Sequence, residues 1–154
     1  MKGFTLVEFL VTLAVLSLIT VASLPILYSF RVGNLTKDTA DMAVMQLRIA
    51  QTRTVTGNAN DVYGVRFEAS KFVLFKSAVY NVADTENYAV DLPGELEFYD
   101  ISLNGGGGNV VFSRPKGNTA YYGSIKVRLK GSTAEYWLIT VNQAGLADAS
   151  LVKL

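Results

Sequence analysis

The stretch Gly3-Phe4-Thr5-Leu6-Val7-Glu8-Phe9, continued by an uncharged run to Phe30, decides the fold of this chain. The twenty-two residues from Phe9 to Phe30 contain no charged side chain. As a helix that rises ~1.5 Å per residue they cover ~33 Å, and the hydrocarbon core of a bilayer is ~30 Å thick. A helix also satisfies its backbone polar groups within itself, as lipid requires. The sequence therefore predicts one membrane-spanning helix.

Glu8 is the acidic residue next to this apolar run, and its position needs an explanation. A carboxylate inside the bilayer costs roughly 2.5–3.5 kcal/mol on insertion scales, and such residues usually have a partner. One interpretation places Glu8 among the cytoplasmic headgroups, where it reaches water. The other pairs Glu8 with the free amino terminus of a neighbouring copy, which requires cleavage of the chain just before Phe4.

The glycine, the aromatic residue, the glutamate and the long apolar run together resemble the class III signal of type IV pilins and type II secretion pseudopilins. This resemblance implies that a prepilin peptidase cuts after Gly3 and methylates Phe4. It also implies that Glu8 pairs with the terminal amine of an adjacent subunit during assembly. Pro25 stands where many family members have a helix-kinking proline. The leader, residues 1–3, departs from the family pattern because it contains a single basic residue.

The resemblance also implies partners and a location. The partners are other pilin or pseudopilin subunits, the prepilin peptidase, an inner-membrane assembly platform and membrane lipid. The location is the cytoplasmic membrane, with a single pass and the head outside, and afterwards a periplasmic or cell-surface fibre.

An ordinary secretory signal peptide is the competing interpretation of the amino terminus. Lys2 would form its basic region, and a weak small-residue site lies around Val21-Ala22-Ser23. Glu8 argues against this interpretation, because an acidic residue at the start of the apolar region opposes partitioning into the membrane.

The composition argues against an enzyme. The chain has no cysteine and no histidine, which excludes a disulfide, a Ser-His-Asp or Cys-His nucleophilic site and the commonest metal ligand. We therefore predict no enzymatic activity, no cofactor and no metal site. Fourteen basic and thirteen acidic side chains leave a formal charge of +1, so net charge implies no polyanionic partner.

Residues 31–57 are predicted to continue the helix in amphipathic form. Apolar and small residues recur there at helical spacing, and the helix is expected to end near Thr56 with Gly57 or Asn58 as a left-handed cap. The predicted core stripe comprises Leu35, Thr39, Met42, Ala43, Gln46, Leu47, Ala50 and Thr54.

Residues 58–154 are predicted to form an antiparallel β head, because the apolar period changes to two and turn residues punctuate the chain. One face of the sheet or pair of sheets must cover the helix stripe. The predicted strands are 62–67 and 72–75, which form a hairpin, then 88–92, 96–101, 110–112, 121–129 and 136–141, with a short last strand around Leu151 and Val152.

Three segments resemble the minor-pilin and pseudopilin-H group within that family. They are 47–55 with 65–75, at the helix end and first hairpin, and 139–145, in the closing strand. The closing segment departs from the group, because Gly145-Leu146 stands where the group often has Gly-Arg. In members that take up DNA, this region holds the nucleic acid.

Charge is unevenly distributed along the head. Six acidic and no basic residues lie between Lys76 and Arg114, whereas five basic and no acidic residues lie between Asp100 and Glu135. Lys126, Arg128 and Lys130 alternate with apolar residues, so a strand here would present all three cations on its solvent face. Three interpretations remain open: cross-strand pairing within one head, docking between subunits and a weak, salt-dependent nucleic-acid stripe.

The sequence therefore predicts an α+β protein with a long N-terminal helix, half membrane-spanning and half amphipathic, packed on an antiparallel β-sheet head. The predicted domains are a leader (1–3), a transmembrane and filament-core helix (4–30), an amphipathic half (31–57) and the head (58–154). The predicted function is a structural subunit, a minor pilin or pseudopilin. The alternatives are a DNA-binding minor pilin for DNA uptake and a single-pass anchored β-domain that does not polymerise.

Overall fold

The computed structural model describes residues 5–58 and 61–153, except for the side chains of residues 23–29. Within this range one long helix is followed by nine strands, which confirms the predicted α+β class. The chain divides into two compact units, Met1–Asn34 and Leu35–Leu154. The first unit contains the N-terminal half of the helix. The second contains the rest of the helix and all the strands.

Helix α1 runs from Leu6 to Thr56. It continues without a break through Gly33 and Asn34, because a glycine inside a helix costs only about 1 kcal/mol and the flanking turns are intact. In the second unit its buried side chains recur every three or four residues, as a helix packed along one face requires. The fully or nearly buried positions are Thr36, Thr39, Ala40, Ala43, Val44, Leu47, Ala50 and Thr54.

Met42 departs from the predicted core stripe, because 43% of its surface is exposed. At about 100° per residue, it lies about 140° around the helix from Leu47, which is at the centre of the buried face. Ala40 and Val44, which the predicted stripe did not include, are fully and nearly fully buried, respectively. The buried face is therefore rotated from the predicted one.

The predicted left-handed cap at the end of α1 is wrong, although the helix does end at Thr56. Neither Gly57 nor Asn58 has a positive φ. The guanidinium of Arg114 instead donates hydrogen bonds to the carbonyl oxygens of Val55, Gly57 and Asn58. A distant side chain therefore satisfies the last carbonyls of the helix, and a local turn is not needed for that purpose.

The strands form two antiparallel sheets. The first has the order β3-β2-β1-β5-β6, and the second the order β4-β7-β8-β9. Most strands agree with the predicted ranges to within two residues, whereas β6 was not predicted and β9 is longer than predicted. The bounds are β1 Tyr63–Glu68, β2 Lys71–Lys76, β3 Tyr88–Asp91, β4 Leu96–Leu103, β5 Asn109–Ser113, β6 Asn118–Thr119, β7 Gly123–Leu129, β8 Glu135–Val141 and β9 Ala147–Lys153.

The core of the second unit lies between α1 and the two sheets. Small residues of α1, among them Ala43 and Ala50, belong to this core, and Phe67, Phe72 and Phe98 form an aromatic cluster with ring centroids 5.5–6.3 Å apart. Tilted and edge-to-face pairs at these distances add to the free energy gained from burial. The helix face and both sheets therefore share one apolar core.

Candidate functional site

The processing residues Gly3 and Phe4, and with them the predicted amino terminus of the mature chain, lie outside the described residues. The neighbouring Thr5 and Glu8 are described. The Glu8 N–H donates to Thr5 Oγ1 at 3.3 Å, and the Phe9 N–H donates to the Thr5 carbonyl at 3.1 Å. Thr5 is therefore the N-cap of α1, and Thr5-Leu6-Val7-Glu8 has the spacing of a capping box.

Sequence reasoning missed this role of Thr5, although the threonine-to-glutamate spacing was available to find it. The Glu8 carboxylate lies in the first turn of α1, where the helix macrodipole favours negative charge. Glu8 is exposed, so its carboxylate is open to a cationic group from outside the chain. Helix capping gives Glu8 a local structural reason for its position, besides the predicted pairing with another subunit.

The N-terminal half of α1 exposes large apolar side chains around its whole circumference. Leu6, Phe9, Leu13 and Leu18 are all exposed, at 47–75% of their surface. A continuous exposed apolar surface of this kind marks a site of contact with lipid or protein. Among the residues whose side chains the structure describes, no helix is both long enough and apolar enough to cross a membrane.

The backbone at Pro25 is helical, within α1, and its side chain is outside the described set. The predicted role of Pro25 in assembly remains a prediction.

The three predicted surface cations lie on and just after β7, beside the acidic strand β4. Arg128 is opposite Glu97 in the strand register, and its Nε lies 2.9 Å from Glu97 Oε1. Lys126 is opposite Asp100, and its Nζ lies 2.8 Å from Asp100 Oδ2. The structure thus brings the acidic and basic segments of the sequence together within one head.

Two tyrosine rings lie beside these two ion pairs. The register between β4 and β7 shifts between Phe98 and Asp100, at Tyr99. The Arg128 guanidinium lies 3.9 Å from the centroid of the Tyr99 ring, and Lys126 Nζ lies 5.3 Å from that of Tyr136. These are cation–π distances. Each ring therefore already has a cation of the same chain over it at cation–π distance.

Hydrogen bonding to Asp100, together with its negative charge, raises the pKa of Lys126 above the usual 10.5. Lys130, the third cation, donates from Nζ to the Gly94 carbonyl at 2.7 Å. All three cations therefore have acceptors within the head. This geometry corresponds to the first of the three interpretations of the charged stretch, and contact with another subunit or with nucleic acid remains a prediction.

In the described part of the chain no cluster of histidine, cysteine, aspartate and glutamate has the arrangement of a metal site.

Comparison with known proteins gives one sequence motif and one fold. Residues 1–24 match the model of the prokaryotic N-terminal methylation motif. No curated protein sequence matches the chain. Two solved structures of the minor pseudopilin EpsH from the type 2 secretion system of Vibrio cholerae resemble the chain, with TM-scores of 0.56 and 0.55 at 16% and 15% identity.

The first similarity covers 77% of this chain and 96% of the EpsH chain, and the second covers 78% and 94%. At this identity the similarity establishes the fold. The chain therefore combines the N-terminal methylation motif of type IV pilins and pseudopilins with the fold of a minor pseudopilin, as its sequence predicts.

Proposed function

We propose that this protein is a minor pilin or pseudopilin, a structural subunit of a type IV pilus or type II secretion fibre. The observation that carries the proposal is the presence of two independent family features in one chain. The methylation motif occupies residues 1–24, and the fold of a minor pseudopilin extends over most of the chain.

Before assembly, Phe4 to Phe30 anchor the chain in the cytoplasmic membrane, with the head outside. Support comes from the uncharged sequence of Phe9 to Phe30 and from the exposed apolar side chains along the described part of α1. Extraction then carries the helix from lipid into the fibre, where related helices cover the same apolar surface. Head-to-tail packing of this kind, when the rotation does not close, produces a helical filament.

Glu8 and Phe4 are proposed to form the link between subunits. Cleavage after Gly3 creates an amine at Phe4, and the exposed Glu8 carboxylate of a neighbour is a matching anion. Removal of one partner from a buried ion pair costs about 3–5 kcal/mol. A buried pair between Glu8 and the amine would therefore fix the position of one subunit relative to the next. Pro25 lacks a backbone N–H, so it weakens α1 locally and eases extraction.

Mass spectrometry of full-length protein recovered from cells tests the processing step. The expected mature chain begins at Phe4, has lost residues 1–3 and carries one added methyl group. A chain trimmed near Ala22 would identify a secretory signal peptide, and an intact Met1 would also contradict the proposal.

Substitution of Glu8 tests the assembly step. Glu8→Ala should lower incorporation into fibres while the protein still accumulates in the membrane. Thr12→Ala, one turn further along α1, is the matched control and should leave incorporation unchanged. Incorporation of Glu8→Ala at the level of Thr12→Ala would contradict the role of Glu8. Failure of the wild type and both variants to enter fibres would favour the single-pass anchored β-domain that does not polymerise.

A further inference from the structure

A second apolar stripe follows α1 in the second unit, on the side turned away from the core. Met45 lies two residues from Leu47, or about 200° around the helix, and 60% of its surface is exposed. A shallow groove runs along this side. We call it the outer groove; it is lined by Met45, Arg48, Ile49, Thr52 and Arg53.

The outer groove has an apolar floor and a cationic rim. Arg48 donates to the Ala147 carbonyl at 3.2 Å, and the Arg53 guanidinium lies 5.8 Å from the centroid of the Tyr63 ring. Among the described residues, neither arginine belongs to an ion pair. The complementary occupant is therefore a small apolar group that carries carboxylates.

The segment between β2 and β3 has these properties. In this segment, residues 77–87, which we call the acidic loop, Val79 and Val82 are 74% and 75% exposed. Asp84 and Glu86 follow them. Valine side chains are short and have few rotamers, so they lose little entropy when they enter a groove.

The acidic loop is held in one shape by its own hydrogen bonds. The Ala83 N–H donates to Asn81 Oδ1 at 3.0 Å, and Asn87 Nδ2 donates to the Asn81 carbonyl at 2.7 Å. The Glu86 N–H donates to Asp84 Oδ1 at 2.9 Å. A loop ordered in advance loses less conformational entropy on binding.

We propose that the acidic loop of one copy docks into the outer groove of a second copy. Val79 and Val82 then cover the apolar floor at Met45 and Ile49, while the Asp84 carboxylate faces the two arginines. Both surfaces are exposed in the same chain, so the loop does not occupy its own groove. The contact joins two different surfaces and is therefore heterologous, which suits an open array of subunits.

This inference rests on the proposed function, since it names the partner of the head as a further copy of this chain. Charge complementarity selects that partner, because opposite charges at a rim set register and exclude wrong partners. A different protein bound to the groove is an outcome that the experiment distinguishes.

Because the sequence contains no cysteine, a disulfide between two copies can form only through cysteines that are introduced by mutation. Two differently tagged full-length copies are produced in one cell, one with Met45→Cys and the other with Val82→Cys, and their membranes are oxidised. The expected product is a mixed disulfide-linked dimer, since a disulfide forms only when the two Cα atoms come within about 7 Å. The matched control pairs Met45→Cys with Thr133→Cys, an exposed position outside the loop, and should give no mixed dimer.

Charge reversal supplies the second readout. Arg48→Glu in the Met45→Cys copy should lower the yield of mixed dimer about tenfold or more, because like charges then face each other. Asp84→Arg in the Val82→Cys copy should restore the yield. Arg48 is exposed and Asp84 is half-buried, and neither belongs to the core of the second unit, so the variants retain the core.

Absence of the mixed dimer, equal cross-linking through Thr133→Cys, preferential Met45→Cys self-pairing or linkage to a different protein would each overturn the docking proposal. The mass of the amino terminus is measured in the same samples. A chain that begins at Phe4 but gives no mixed dimer contradicts the docking contact alone. An unprocessed chain contradicts the proposed function, whichever cross-link forms.

Discussion

At the scale of single residues, Arg114 stabilises the end of a helix that is more than fifty residues away in sequence. Its guanidinium donates to carbonyls of Val55, Gly57 and Asn58. Hydrogen bonds that involve a charged group contribute about 1.5–3 kcal/mol. We therefore expect Arg114→Ala to lower the free energy of unfolding by about 1.5–3 kcal/mol. Urea titration of the full-length chain in detergent, followed by the fluorescence of its single tryptophan, Trp137, measures this change.

Lys116→Ala is the matched control, because Lys116 is an exposed cation two residues away. Substitutions of that kind usually change stability by less than about 0.5 kcal/mol. Equal losses for the two variants would show that the guanidinium does not stabilise the end of α1.

Two glycines with similar positive φ values allow backbone strain to be distinguished from steric crowding of an added Cβ. Gly145 and Gly131 have φ values of +79° and +77°, but a Cβ on Gly145 would lie 2.2 Å from the Gly117 carbonyl oxygen, whereas nothing lies within 4 Å of one on Gly131. Gly131→Ala should cost about 1–2 kcal/mol from the left-handed backbone alone. Gly145→Ala should cost about 1–3 kcal/mol more, because the loop must also shift. The same urea titration measures both, and equal losses would exclude the crowding argument.

At the scale of elements, α1 has a buried face and an exposed apolar face in the second unit. Ala43 is fully buried, whereas neighbouring Met42 is 43% exposed. Ala43→Lys should therefore unfold the head or destabilise it by several kcal/mol, because it buries an unpaired charge. Met42→Lys should leave the melting temperature within a few degrees of the wild-type value. Circular dichroism of the two variants checks the rotation of the buried face, and equal destabilisation would contradict it.

The ion pair between Asp100 on β4 and Lys126 on β7 makes the stability of the protein depend on pH. Hydrogen bonding to Asp100 raises the pKa of Lys126 above 10.5 in the folded protein, so the folded state retains this proton more tightly than the unfolded state. The stabilisation is complete below pH 10.5 and is lost as the pH rises through the folded pKa. The stability difference between the wild type and Asp100→Asn should therefore be constant up to about pH 10 and decrease above it.

Urea titrations at pH 8 to about 12 test this dependence. The raised pKa values of Lys37 and Lys76 cancel in the difference, because both proteins contain these residues. Glu135→Gln, at an exposed carboxylate, is the control and should show no such decrease. A decrease of the same size in the control would rule out the Lys126–Asp100 pair as its cause.

At the scale of the whole molecule, the charges balance within the head and leave little to attract DNA. Lys126 and Arg128 are paired with Asp100 and Glu97, so these two cations would release few counterions from DNA. We expect the full-length chain in detergent to leave a short DNA duplex unretarded in a gel at about 50 mM salt. A double variant, Glu97→Gln with Asp100→Asn, unpairs the two cations and should bind weakly. Retardation by the wild type that Lys126→Met abolishes would instead favour the DNA-binding alternative.

Much of the fold follows from local patterns. The apolar period distinguishes α1 from the strands, and most strand bounds agree with the predicted ranges because turn residues mark their ends. The two-residue strand β6 was missed because it is too short to show a period. The long β9 was underestimated because its side chains are small or polar and mostly exposed, so that pairing with β8 supports it rather than a repeating apolar pattern.

The sequence by itself establishes three features: the amino-terminal motif, the absence of histidine and cysteine chemistry, and the change from helical to strand period. These features depend on composition or on residues that are near one another in the chain, so the order of residues is enough to establish them. The partner of each charged side chain is different. Arg114 at the end of α1 and Arg128 beside Glu97 meet their acceptors across dozens of residues, and the register between β4 and β7 depends on a bulge at Tyr99. Such contacts arise from packing of the core as a whole, which selects one register among several that satisfy the same local pattern.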